Sequence, residues 1–364
     1  MFAPPPLPRT LQASVRDLSS TKPATRASAA ADLVRHAASS EETRAMALPL
    51  LEKALGDDSA IVRSAVCVAL ADLRAKEALP ALLVAVEDVD VHTRQMAINA
   101  LGEIGDVRAG PRLRRALTDP RPDVRYQAVI AFTRIVREDC EEVVRALARA
   151  LDDEHESVRY IALRVAEERI DEDTHAGLEP LAARVVPLVA DPVPHVALVA
   201  AIYLAKVGRS EGHTLLENVV CSTGRYGRAG PEKEDEREAV EMAGALGLRE
   251  TIPALERRAW GALRVVRDTC AFHAKIALAR MGHDRAVKEI LTDLGSSKRQ
   301  VREAAVVAAG RARLVQARAT IEKLEGRAEP LLVQHALAEL RRAESKAKAG
   351  EGSSPTASDR AERP

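Results

Sequence analysis

The stretch EDVDVHTRQMAINALGEIGDVRAGPRLRRALTD, residues 87–119, decides how the rest of the chain is read. Met96, Ala97, Ala100, Leu101 and Ile104 recur at helical spacing, which predicts an amphipathic helix over 91–105. The preceding LPALLVAVED, residues 79–88, places Leu82, Leu83 and Val86 on one side of a shorter helix. Asp90 stands where the second helix needs an N-cap, as Ser59 does one unit earlier, and Gly102 and Gly105 are expected to close that helix. The next pair begins at AGPRLRRAL. Pro122 and Pro194 occupy first helical positions in later copies, where a missing N–H is harmless. Neither helix of such a pair can bury its apolar side alone, so the pairs must stack on one another.

Aligning on Val-Arg followed by small residues extends the pattern along the chain. Arg26, Arg63, Arg94, Arg125, Arg159 and Arg302 share one register, and Ala197, Glu236, Ala271 and Val333 fill the slot where the Arg is missing. The steps are 37, 31, 31, 34, 38, 39, 35, 31 and 31 residues, the period of a stacked helical array. Units such as 87–119 resemble HEAT repeats, in the short variety called PBS-lyase HEAT-like, and the resemblance runs over about residues 8–342. It implies an all-α fold, a right-handed α-α superhelix (HEAT/ARM-type solenoid) of about ten helical-hairpin repeats. That repeat family includes scaffolds, bilin lyase subunits, a di-iron hydroxylase and relatives of DNA glycosylases, so the fold leaves activity open.

The Arg slot has an acidic companion. Asp57, Asp88, Asp119, Asp153 and Asp191 each stand six residues before it, at the turn into the second helix. An Asp there is placed to cap free amides, and a bidentate Arg is suited to tie it to the adjoining unit. Arg63, Arg94, Arg125, Arg159 and Arg302 with these aspartates therefore read as a structural ladder, because a position filled every ~31 residues serves stacking rather than a single site. Tyr126 and Tyr160 follow the slot directly, where other units carry Ser64, Gln95, Leu198, Phe272 and Glu303. That variability argues against a packing requirement. The HEAT-like arrangement implies that second helices line a concave face, so Tyr126, Tyr160, Arg164 and Leu198 are the expected partner-binding patch. The alternative is that both rings lie over neighbouring helices and fill space left by alanines.

The register is most disturbed over 197–271, where CSTGRYGRAGPEKEDERE, residues 221–238, is inserted. Arg225, Tyr226 and Arg228 make its first half a second candidate contact for an acidic ligand, against the alternative of a solvated, self-balanced excursion. Outside the array, residues 1–7 read as a Pro-rich arm, 8–345 as the repeat region and 346–364 as a disordered tail. Leu7, Leu11, Val15 and Leu18 predict a first capping helix within 4–20.

Composition narrows the function classes. Lys+Arg and Asp+Glu balance at 54 each, so no overall field draws the chain to nucleic acid, although twelve basic against six acidic side chains lie between Lys298 and Lys348. Eight aromatic residues are few for a chromophore cleft. One His-Glu dipeptide, His155-Glu156, is too little for a di-iron site, and the sequence has no metalloprotease, P-loop or nucleophile-elbow motif. Four separated cysteines, no leader pattern and no apolar run near ~18 residues point to a cytoplasmic protein with free thiols. The expectation is a non-catalytic protein-binding scaffold without cofactor or metal, its partner another protein. The alternatives are an accessory subunit of a bilin lyase-like complex and a nucleic-acid binder using the basic C-terminal repeats.

Overall fold

The computed structural model describes residues 9–171, 178–222, 232–261, 270–324 and 326–351. Two compact units divide the chain, Met1–Val196 and Ala197–Pro364. Twenty α-helices and no strand occur among the described residues, and nine pairs of a first (A) and a second (B) helix pack within the two units. The first unit contains the pairs α1 (Leu11–Asp17) with α2 (Pro23–Ala37), α3 (Glu41–Ala54) with α4 (Ala60–Asp72), and α5 (Leu79–Ala85) with α6 (Val91–Ile104). It continues with α7 (Gly110–Ala116) and α8 (Pro122–Ile135), α9 (Cys140–Leu151) and α10 (Glu156–Asp171), then α11 (Glu179–Val185). The unit boundary falls near the start of α12 (Pro194–Lys206). The second unit continues with α13 (His213–Cys221) and α14 (Glu232–Leu246), α15 (Ile252–Trp260) and α16 (Ala271–Arg280), and α17 (Asp284–Leu294) and α18 (Arg299–Arg311). Its last pair is α19 (Arg318–Glu322) with α20 (Pro330–Glu351).

Fully buried leucines from both helices fill the second and third hairpins, Leu51 with Leu70 and Leu82 with Leu101. Between hairpins the B helices pack directly on one another through very small side chains. A Cβ on Gly102 of α6 would lie 2.9 Å from Cβ of Ala131 on α8, so Gly102 is a contact residue inside the helix rather than its terminator. Gly105 alone ends α6, in the left-handed region at φ 71°. Asp90 caps α6 by accepting from the Thr93 N–H at 2.8 Å, whereas Ser59, also at an N-cap, makes no side-chain cap bond.

Where Gly105 stands at the end of α6, α4 is followed by Arg74 at φ 47°, a left-handed conformation that a Cβ disfavours by about 1–2 kcal/mol. Its side chain is exposed. Arg74→Gly is therefore expected to raise the stability of the first unit by roughly 0.5–1 kcal/mol in denaturant titrations, after allowing for the greater freedom of glycine in the unfolded chain. A loss of stability would show that the Arg74 side chain contributes more than its backbone costs.

The first helix falls within the expected span, while the C-terminal end departs from expectation. The first helix is confined to Leu11–Asp17, and residues 1–7 lie outside the described residues. The last helix runs on to Glu351, past the boundary expected at 345, because Ala and Lys in KAKAGE have high helix propensity. Residues 352–364 lie outside the described residues.

Candidate functional site

The frame that carries the B-helix face is built on the Arg slot. Arg63 donates through Nε and Nη2 to the two carboxylate oxygens of Asp88, both at 2.7 Å, and through Nη1 to the backbone carbonyl of Asp57 at 2.9 Å. Arg94 does the same with Asp119 and the Asp88 carbonyl, Arg125 with Asp153 and the Asp119 carbonyl, and Arg159 with Asp191 and the Asp153 carbonyl. Arg26 opens the series on Asp57. Each guanidinium thus clamps its own turn with one donor and the turn of the following hairpin with two. The aspartates do not cap the B helix itself. Asp57, Asp88, Asp119, Asp153 and Asp191 each accept the N–H two residues on, at 2.8–2.9 Å, closing the turn that leads into it. Arg302 departs from the pattern: it donates to the backbone carbonyls of Arg327 and Ser296, with no carboxylate of the described residues in the rung.

The Arg26 and Arg63 guanidiniums hold the carboxyls of Asp57 and Asp88 below the usual carboxylate range. A carboxyl with a lower pKa folded than unfolded stabilises the fold above the unfolded value, about 3.9, and loses that contribution as pH falls through the folded value. The first unit is therefore expected to keep the ladder's contribution above about pH 5 and to lose it progressively below about pH 4. Arg63→Met paired with Asp88→Asn should flatten that acid limb in pH-dependent melts. An acid limb identical to the wild type would remove the ladder as its source.

Sequence register missed one rung, in the irregular zone. Glu236 occupies the slot on α14, and Arg258 on α15 meets it at 2.8 Å, with side chains only 7% and 6% exposed. Arg258 also donates to the carbonyls of Val219, Val220 and Ser222. These belong to the C-terminal end of α13, where carbonyls have no helical partner and cations are favoured. The polarity of the rung is reversed, and one guanidinium holds both stems of the inserted segment.

On this frame the candidate contact residues separate. Tyr126 on α8 and Tyr160 on α10 are half-buried, on consecutive B helices packed against each other. The Tyr160 ring meets the edge of His195 at 5.3 Å and 73°. Arg164 donates to Glu167 at 2.6 Å, which anchors its guanidinium on a buried carboxylate. Leu198 is 1% exposed within the apolar core of the second unit and is no contact residue. Every residue from Val196 to Ala205 is buried, because PHVALVAAIYLAK is apolar all round and so has no solvent face to offer. That composition was the available signal. Arg225, Tyr226 and Arg228 lie outside the described residues.

The B face also carries polar stitches that the register alone did not reveal. Gln127 donates to Asn99 across α8 and α6 at 3.1 Å, and His273 meets Glu241 across α16 and α14 at 2.6 Å in the same relative register. Glu241 also holds Arg311 of α18 at 2.9 Å, and Lys206 pairs with Glu238 at 2.6 Å. Trp260 packs between hairpins, its indole N–H donating to Glu289 at 3.0 Å and Arg285 lying 4.2 Å over its ring. Burial pushes the Cys67 thiol up to about 12, which makes it a core residue rather than a nucleophile. Among the described residues no cluster of three or more His, Cys, Asp or Glu side chains is arranged to hold a metal, and no helix is long and apolar enough to cross a membrane.

Comparison with known proteins agrees with this geometry. The family of HEAT repeats matches residues 47–133. A crystal structure of importin beta aligns with a TM-score of 0.51 at 14% identity, over 91% of this chain and 51% of that one, a likeness of fold alone. An engineered protein (TM-score 0.41, 18% identity, 91% of this chain and 98% of that one) is similar more loosely. So is the complex of CpcE and CpcF of phycocyanin lyase from Nostoc sp. PCC7120 (0.40, 18%, 70% and 96%). No curated protein matches the sequence. Residues 47–133 are HEAT repeats, and the chain as a whole has the all-α, helical-hairpin repeat fold of the HEAT and armadillo type.

Proposed function

We propose that the protein is a non-catalytic scaffold that holds a protein partner against the B-helix face of its first unit, with Tyr126 and Tyr160 as anchors. The observation that carries this reading is the contrast between frame and face. The Arg–Asp rungs repeat from hairpin to hairpin with the same donors and acceptors. The residue directly after the slot varies, from Ala27 through Ser64 and Gln95 to Tyr126 and Tyr160. In a stacked array each hairpin meets only its neighbours, so a position that varies beside a constant rung is one that cohesion does not fix. Half-buried tyrosines supply large, stiff contact area at little entropic cost and are frequent hot spots.

The test is affinity capture from native lysate with wild type and with the Tyr126→Ala/Tyr160→Ala double variant. At about 2 kcal/mol or more for each hot-spot ring, capture should fall more than tenfold. The helical circular dichroism should be unchanged and the melting temperature only slightly lower. Full retention of the partner by a folded double variant would move the contact surface elsewhere.

A further inference from the structure

A cavity of about 660 Å³ opens in the second unit where the end of α16, the length of α17 and the turn after α18 meet. Arg280, Lys288 and Arg313 line it, and Asp284 supplies the single carboxylate of its described wall. The rest of the wall includes Val287, Leu291 and Leu314. The charge here is not neutralised as it is elsewhere in the array. The neighbouring Arg285, Arg299 and Arg311 hold carboxylates, whereas Arg280 donates, among the described residues, only to the backbone carbonyl of Arg311, at 3.3 Å. The Nε of Arg313 is buried and has no acceptor among the described residues. Burial, and after it the nearby Arg313 guanidinium, pulls the Arg280 pKa below the usual arginine value, while Glu241 and Glu339 act in the opposite sense.

The backbone supplies a separate observation. Arg313 stands at φ 55°, where the ends of α6, α14 and α16 are followed by glycine at φ 71°, 67° and 82°. A side chain kept in the left-handed region costs stability, and such outliers concentrate where the side chain has a task. Arg313 is therefore held at an energetic disadvantage in a position that turns a donor-rich group toward a cavity already lined by two other cations.

We propose that this cavity binds a small organic phosphate. Two guanidiniums and an ammonium, converging from three chain segments, match the several acceptor directions of a phosphoryl group better than the single fork of a carboxylate. The phosphoryl oxygens also relieve the repulsion between Arg280 and Arg313. The apolar side formed by Val287, Leu291 and Leu314 faces the organic part, and the volume lies within the range of small-molecule sites. This site is independent of the partner surface proposed above, since it belongs to the second unit and shares no residue with it.

The experiment is calorimetric titration of the full chain with phenyl phosphate and with inorganic phosphate, at fixed ionic strength. Saturable binding of phenyl phosphate, about tenfold or more tighter than inorganic phosphate, is the expected result. Arg280→Gln and Arg313→Gly should each weaken it about tenfold or more. Arg313→Gly should at the same time raise the melting temperature, because it relieves the backbone while removing the ligand's donor. Arg74→Gly, the equivalent backbone change away from the cavity, should raise the melting temperature and leave binding intact. No saturable binding of either phosphate up to about 10 mM overturns the proposal. So does undiminished binding by Arg280→Gln and Arg313→Gly, and equal affinity for the two probes overturns the assignment to an organic phosphate.

Discussion

Arg258→Met is expected to destabilise the second unit by about 3–5 kcal/mol, the range for removing one partner of a buried ion pair. The change leaves the Glu236 carboxylate buried without its cation and strips a donor from the carbonyls of Val219, Val220 and Ser222. Methionine keeps most of the apolar stem, so packing is nearly conserved and the loss is electrostatic. Adding Glu236→Leu should restore part of the stability, since the stranded charge is then gone, but the C-terminal carbonyls of α13 remain without a donor. Denaturant unfolding of the single and double variants, followed by hydrogen exchange in α13 to α15, reads both effects. In an array whose stability is a sum over neighbours, the loss should be confined to the hairpins that Arg258 joins, leaving the first unit protected as in the wild type. A single variant within 1 kcal/mol of the wild type would mean that water already solvates Glu236 and that the reversed rung contributes little.

Gly244→Val is the second large effect, at about 3 kcal/mol of lost stability. A Cβ on Gly244 of α14 would lie 2.4 Å from Cα and 2.7 Å from the carbonyl oxygen of Ala277 on α16. Both are backbone atoms, so no rotamer change relieves the overlap and the two helices must move apart. Gly244→Ala is the more discriminating variant. Helix propensity alone favours alanine by about 1 kcal/mol, so a contact-free glycine would gain stability from it. Here the close approach should reverse the sign in thermal melts. Stabilisation by Gly244→Ala would show that α14 and α16 sit farther apart than described. The same Gly-on-Ala approach recurs at Gly102 on Ala131 and Gly310 on Ala336, so the effect is a property of B-helix stacking and not of one site.

Parts of this architecture were legible because they are periodic. The 31-residue step and the apolar spacing within 91–105 identify paired helices, since a helix face and a repeat length are both local properties of sequence. The six-residue interval between Asp and Arg was visible too, and with it the bidentate tie to the adjoining unit, but each Asp closes its turn instead of capping the helix. Within one hairpin the Arg takes only the carbonyl of that Asp, and its fork reaches the Asp of the next hairpin. The Glu236–Arg258 rung joins residues on either side of a hairpin turn beside an insertion, with the charges exchanged, and no register predicts it. Leu198 was misplaced by the opposite error: register put it beside Tyr126 and Tyr160, while the all-apolar surroundings in α12 put it in the core. Arg164 was legible as a surface cation but not as one anchored on buried Glu167.

By itself, the sequence determined the helices, their pairing and the spacing of the arginine register, because each follows from interactions among residues close along the chain. Which carboxylate a given arginine grips, which glycine is a contact instead of a terminator, and where cations are left facing a cavity were decided only by stacking. Those outcomes depend on side chains from different hairpins meeting in space, at distances that a few tenths of an ångström change from attraction to overlap.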